Sequence, residues 1–334
     1  MVRLLSISNF KRYPPIQALF CFVIVCIIFE VGCHIWLPKS LMEMKFYEIR
    51  DCVKTGITPD IIILGDSVAA IGILASMISS DILNIRNYSI AGGGPVFSYL
   101  LLQQILDKND LPKAIILAHS PHTFSDVRFP VLIGKFAYFS ELPGLILNSN
   151  SLSDSLYGIL TRFSYVLSYR DQFKSLLKGD ASFFRKRPNN FNQNEDQRIL
   201  EHLEQLKKGT FTPKDLGSSL WPMYKEPFHV SEMNSHYTSR MLKIAREKGI
   251  TVYWATMPIT ERVDSYRQNI NYHNNFYAFL DRFANEQLLF FVQRDFLVFE
   301  DAFFDDLSHL NLSGAIAYTT LLTEKINACL PVKN

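Results

Sequence analysis

The chain has 334 residues, enough for one sizeable α/β domain with an insertion or for two small domains, and long enough to bury a core without staples. Its 34 Lys plus Arg nearly cancel its 32 Asp plus Glu, and no basic tract stands out, which argues against a nucleic-acid partner. No dinucleotide or phosphate-loop fingerprint appears, and His119, His122, His229, His236 and His273 show no metal-ligand spacing, so neither a cofactor nor a metal is expected.

The first element is an apolar run between Pro15 and Pro38, with a core of roughly 20 residues, enough for a helix to cross a bilayer. Arg3, Lys11 and Arg12 precede it, so the positive-inside tendency keeps 1–14 cytoplasmic and exports everything beyond Pro38. The rival reading is a cleaved signal peptide. No Ala-x-Ala site is present. Cys33 follows Val31 and Gly32 as in a lipoprotein box, but Glu30 stands where an apolar residue belongs. An uncleaved signal anchor over 15–38 is therefore expected. Glu30 either lies near the outer interface and snorkels or faces a partner helix. Cys21, Cys26 and Cys33 read as plain apolar residues of this segment, whereas an oxidising compartment permits a Cys52–Cys329 bridge, with two free thiols as the alternative.

A helical lead-in follows over 39–57. The β-branched run at 61–64 then reads as a buried parallel strand ending at Gly65-Asp66-Ser67, with a helix to about Ser80. A second strand is expected near 83–89, ending in Ala91-Gly92-Gly93-Gly94-Pro95, with a helix to about 108. A third runs over 114–119 and ends at Ser120-Pro121. Strand, tight loop and helix repeated in this way predict a parallel α/β sheet. After an insertion at about 123–230, helical at 151–177 and 195–208 and loop-like at 178–194, the pattern resumes. A helix is expected at 231–248, a fourth strand at 251–257, a helix at 264–285, a fifth strand at 288–293, and a last helix from Asn311-Leu312-Ser313-Gly314 to Cys329.

Ser67 sits between a buried strand and a helix, where its own N–H can help hold an oxyanion; the same tripeptide also occurs as an ordinary helix cap. His309 can serve as the base a serine hydroxyl needs, and Asp306, three residues earlier, can orient its ring; the competing reading is a surface loop capping the last helix. Ser67 in Ile-Leu-Gly-Asp-Ser, combined with Asp306-Leu307-Ser308-His309 before the final helix, resembles the SGNH/GDSL hydrolases. The resemblance covers roughly 58–125 and 230–330. It implies a flavodoxin-like three-layer domain over 58–334, a Ser67–His309–Asp306 triad, and an oxyanion hole using the N–H of Gly92 (or Gly93) within Asn87-Tyr88-Ser89-Ile90-Ala91-Gly92. The family's third block departs from pattern. Leu117-Ala118-His119-Ser120-Pro121-His122 lacks the usual asparagine; Ser120 is the substitute donor, with His119 and then His122 behind it.

The anchor, the divergent third block and the insertion together resemble SGNH proteins that accompany membrane-bound O-acyltransferases, such as alginate O-acetylation proteins and the D-alanyl transfer protein of teichoic acid modification. The Met257-Pro258 turn fits the same subset. That resemblance implies an extracytoplasmic acyl transfer through acyl-Ser67 to a cell-envelope polysaccharide or polymer, with a membrane acyltransferase as partner. A membrane-anchored esterase or lipase and a non-catalytic assembly partner remain open. In the insertion, Arg185, Lys186 and Arg187 among Phe183, Phe184 and Phe191 either contact a glycan or form a solvated loop.

Overall fold

The computed structural model describes residues 14–36, 48–52, 59–79, 83–107, 111–125, 133, 136–148, 152–170, 173–174, 178, 204, 208, 216–217 and 219–329. In chain order its main elements are α1 (Pro14–Trp36), β1 (Ile61–Gly65), α2 (Ser67–Gly72), β2 (Ile85–Asn87), α3 (Pro95–Leu106) and β3 (Ala114–Ala118). The insertion contributes α4 (Leu152–Phe163) and α5 (Tyr165–Ser168). Then come α6 (Glu232–Glu247), β4 (Thr251–Ala255), β5 (Ile259–Thr260), α7 (Glu261–Asn269), α8 (Tyr272–Asn285), β6 (Phe290–Gln293), β7 (Val298–Phe299) and α9 (Leu312–Cys329). Most of the lead-in, all but residues 204 and 208 of the helix expected at 195–208, and the loop carrying Phe183, Phe184, Arg185, Lys186, Arg187 and Phe191 lie outside the described residues.

The sheet is five-stranded and wholly parallel, in the order β2-β1-β3-β4-β6. Counting only its own strands, this is 2-1-3-4-5, the flavodoxin-like order. Every residue of β1 and β3 is buried, because a parallel strand covered on both faces needs apolar side chains at every position. Alternate residues feed two cores. Ile62, Leu64, Ile115, Leu117, Val252 and Trp254 point to the side covered by α3, α6 and α8. Ile61, Ile63, Ile116, Ala118 and Ala255 point to the side covered by α2 and α9. Three layers follow from this period of two.

The differences from expectation are local. The helix after Ser67 stops at Gly72, and a second short one, Ala75–Ile78, follows extended Ile73 and Leu74. The Leu74 N–H is taken by Thr319 Oγ1 of α9 rather than by the helix ladder. The helix expected at 264–285 is two, α7 and α8, broken where Asn271 adopts a left-handed conformation (φ 54°). A small parallel pair, β5 with β7, was not expected. Cys52 and Cys329 are not joined by a disulfide, so the permitted bridge does not form. Side chains of α1 are described from 17 to 33 and at 35, and over the described residues no helix is long and apolar enough to cross a membrane.

The insertion is fastened to this domain at Glu141. Its carboxylate is buried, accepts two bonds from the Arg240 guanidinium of α6 (2.8 and 3.1 Å), and accepts further bonds from Tyr99 and Gln103 of α3. A buried carboxylate survives only with such a full complement of donors.

Candidate active site

The strand order reverses at β1 and β3, and the crevice at the carboxyl ends of these strands is where open α/β sheets bind ligands. Asp66 bridges that crevice. One carboxylate oxygen accepts the Val68 N–H (2.9 Å) and so caps α2. The other accepts the Ser120 N–H (2.8 Å) from the end of β3. Burial raises the Asp66 pKa, while the bonds from Ser120, Val68 and Ala69 oppose the shift. Asn87 braces α2 from the other side, donating to the carbonyls of Ala69 and Ile73 at 2.9 Å each and accepting the Ser89 N–H. Ser67 is thereby held as the first residue of a helix aimed out of the sheet.

The second half of the site comes from 304–311. Phe304 and Leu310 are fully buried and pair across an antiparallel bridge, and the Asp305 N–H donates to the His309 carbonyl (2.8 Å). Leu307 pins the tip into a small cluster with Tyr224, Ile259 and Val263. Inside this closed loop Asp306 Oδ1 accepts the N–H groups of Ser308 and His309, both at 2.8 Å. An aspartate accepting from residues two and three ahead locks its own side chain. Oδ2 is left for the ring: His309 Nδ1 lies 2.8 Å away, and His309 Nε2 lies 2.9 Å from Ser67 Oγ. Asn311 caps α9 by accepting the Gly314 N–H. A Cβ on Gly314 would run into the Phe303 carbonyl, which accounts for Asn-x-x-Gly at this position.

The charges are arranged for a base. Burial disfavours a charged His309, but the Asp306 hydrogen bond and charge outweigh it and raise its pKa above 6.5. Burial would likewise raise Asp306; the His309 ring bond and the two backbone N–H bonds win and hold it well below the usual carboxylate range. Neutral His309 with its proton on Nδ1 can donate to Asp306 and accept the Ser67 hydroxyl proton at Nε2.

The oxyanion candidates fare unequally. Gly92 turns at φ 73°, a conformation glycine adopts without strain, in the loop that follows β2. The Gly93 N–H donates to the Ile90 carbonyl (2.8 Å), which removes the alternative donor. Ser120 is engaged with Asp66 through its N–H, and its hydroxyl faces the same carboxylate. His119 lies in the core, not in the crevice. Its Nε2 is 3.0 Å from Ser98 Oγ and its ring meets Phe124 edge-on, while burial drops its pKa to about 3 and keeps it neutral.

Three participants escaped sequence reading. Ser308 Oγ donates to Asp306 Oδ1 and lies 3.1 Å from His309 Nδ1. The buried Tyr224 hydroxyl faces Ser308, and its ring meets His122 edge-on. Behind it the buried Arg267 guanidinium stacks on Tyr224 and Tyr272. His122, Ser125, Met223, His229 and Tyr272 line a cavity of about 290 Å³. Asp-Leu-Ser-His shows Ser308 in sequence, but nothing in Trp221-Pro222-Met223-Tyr224 signals a neighbour some eighty residues away.

No protein-family model matches the chain, and no curated protein matches it. Two solved structures are similar to it over most of its length. One, from Streptococcus pneumonia and provisionally named a platelet activating factor, is 12% identical with a TM-score of 0.38, over 93% of this chain and 98% of that one. The other, a provisionally named acylhydrolase from Bacteroides fragilis, is 11% identical with a TM-score of 0.40, over 88% and 100%. Likeness this distant decides neither family nor activity.

Proposed function

We propose that the chain is a membrane-anchored serine acyltransferase of the SGNH/GDSL type, working outside the cytoplasmic membrane on a cell-envelope polysaccharide or polymer. The observation that carries the catalytic part is the continuous path Ser67 Oγ–His309 Nε2 (2.9 Å) and His309 Nδ1–Asp306 Oδ2 (2.8 Å) at the mouth of the β1–β3 crevice. The anchor rests on α1. The support is the sequence of 15–38, apolar over roughly 20 residues behind Arg3, Lys11 and Arg12, and the apolar side chains of α1 from Leu19 to Ile35, which are largely exposed.

The chemistry balances in two steps. His309 Nε2 takes the Ser67 proton as Oγ attacks the acyl carbonyl. The oxyanion is held by the N–H groups of Ser67 and Gly92. Collapse expels the donor's alkoxide or thiolate, which leaves with the proton from His309. An acceptor hydroxyl then gives its proton to His309, attacks acyl-Ser67, and the proton returns to Oγ. A membrane-bound O-acyltransferase passing the acyl group outward is the partner this reading requires.

One observation favours hydrolysis instead: the Asp306 and His309 side chains remain 37% and 24% exposed, so water reaches the pair. Two measurements separate the readings. Fluorophosphonate labelling of the wild-type chain in membranes, lost in Ser67→Ala and in His309→Ala, establishes an activated serine. Partition of a labelled acyl group between a glycan acceptor and free acid then distinguishes transferase from esterase. An unlabelled wild type, together with full function of Ser67→Ala in cells, would leave a non-catalytic assembly partner.

A further inference from the structure

Helix α4 is built inside out for a helix facing water. It buries Ser155 and Thr161, each 1% exposed, and Gly158, and turns Leu152, Leu156, Leu160 and Phe163 outward at 63, 48, 53 and 65% exposure. Positions 152, 156, 160 and 163 fall on one side of a 3.6-residue helix, so this is a continuous apolar stripe. Phe139 extends it, its ring 6.5 Å from Phe163, and Leu147 at the end of the short helix Leu142–Leu147 is also exposed. Water-facing surfaces do not gather large side chains this way without something to cover them.

The same region is tied to α1. Glu30 accepts hydrogen bonds from the Ser164 hydroxyl (3.0 Å) and from the backbone N–H groups of Tyr165 and Val166, which open α5, and Phe29 contacts Phe173. Glu30 therefore faces a helix of its own chain, and a carboxylate in an apolar span needs such donors. It lies six residues before Trp36, hence about 9 Å below that end of α1 at 1.5 Å per residue. The α4–α5 junction bonded to it lies at that level. An interfacial helix sinks roughly 5–10 Å into the boundary between headgroups and acyl chains, which matches. Beyond α5, the exposed cations Arg170, Lys174 and Lys178 suit anionic headgroups.

We infer that α4 lies in the outer leaflet of the membrane that α1 crosses, with Leu152, Leu156, Leu160 and Phe163 among lipid chains. The insertion thus holds the domain against the bilayer instead of leaving it on a tether. This rests on the anchor reading of α1, and the test separates the two. The full chain, with photoreactive p-benzoylphenylalanine in place of Val25, Leu156 or water-facing Lys248, is reconstituted in vesicles of phosphatidylethanolamine and phosphatidylglycerol, illuminated and analysed by mass spectrometry. Lipid adducts at 25 and 156 but not at 248 are expected. A lipid adduct at 25 with none at 156, or with a cross-link from 156 to a second copy, overturns the inference and reserves the stripe for protein. No adduct at 25 overturns the anchor itself, and this inference with it.

Discussion

Helices α4 and α6 share the helical period and are turned opposite ways. Helix α6 buries Met233, Tyr237, Met241, Leu242 and Ala245 against the sheet and keeps its charges outside. Helix α4 buries serine, glycine and threonine and shows its leucines. The difference teaches that amphipathic spacing reports only that two environments exist. Which face is covered, and by what, depends on the surroundings: for α6 the rest of the domain, for α4 the membrane proposed above.

The largest effect that can sharpen this comparison belongs to the domain that α6 helps support. Ser67→Ala should lower acyl transfer or hydrolysis by about 10⁶-fold, and His309→Ala by a similar factor, while vesicle association stays at the wild-type level. A loss of association in Ser67→Ala would break the division of labour between the two regions. Next, Asp306→Asn should cost roughly 10⁴-fold in kcat, because the histidine tautomer is no longer enforced. Its pH profile carries the sharper test. The base must be neutral, so the wild-type rate should rise with pH through an inflection above 6.5; without the Asp306 charge that inflection should move to lower pH.

Stability follows the same pair with the sign worked from both partners. The raised His309 contributes stability that is fully present below 6.5 and is lost as pH rises through its folded value. The depressed Asp306 contributes stability that is present above its usual 3.8 and is lost as pH falls. Thermal melts of wild type and Asp306→Asn should therefore differ most between these values.

Smaller effects compare the helices directly. Met241→Ala in α6 should cost about 2–5 kcal/mol in a denaturant titration, because it empties a packed core position. Leu156→Ala in α4 should cost under about 0.5 kcal/mol in detergent, since that residue is 48% exposed and belongs to no core cluster among the described residues. Equal costs would show that α4 packs as α6 does.

Much of the sheet was legible in advance. Runs such as Ile61–Leu64 and Ala114–Ala118 are short, apolar at every position and followed by turn residues, a pattern that a buried parallel strand demands. The pairing of Ser67 with Asp306 and His309 was legible only through the joint occurrence of two short motifs. Nothing local could reveal that Ser120 would be tied to Asp66, that His119 would turn into the core toward Ser98, or that α7 and α8 would separate at Asn271.

By itself the sequence determined the order of the five strands of the main sheet and the residue types able to do the chemistry, because these depend on neighbours along the chain. Only the tertiary structure decided which partners meet. The Ser67–His309 contact spans 242 residues, Glu30 finds Ser164 across 134, and the outward face of α4 is defined only once Ser155 and Thr161 have been buried. Contacts of that range are set by how the layers close over one another.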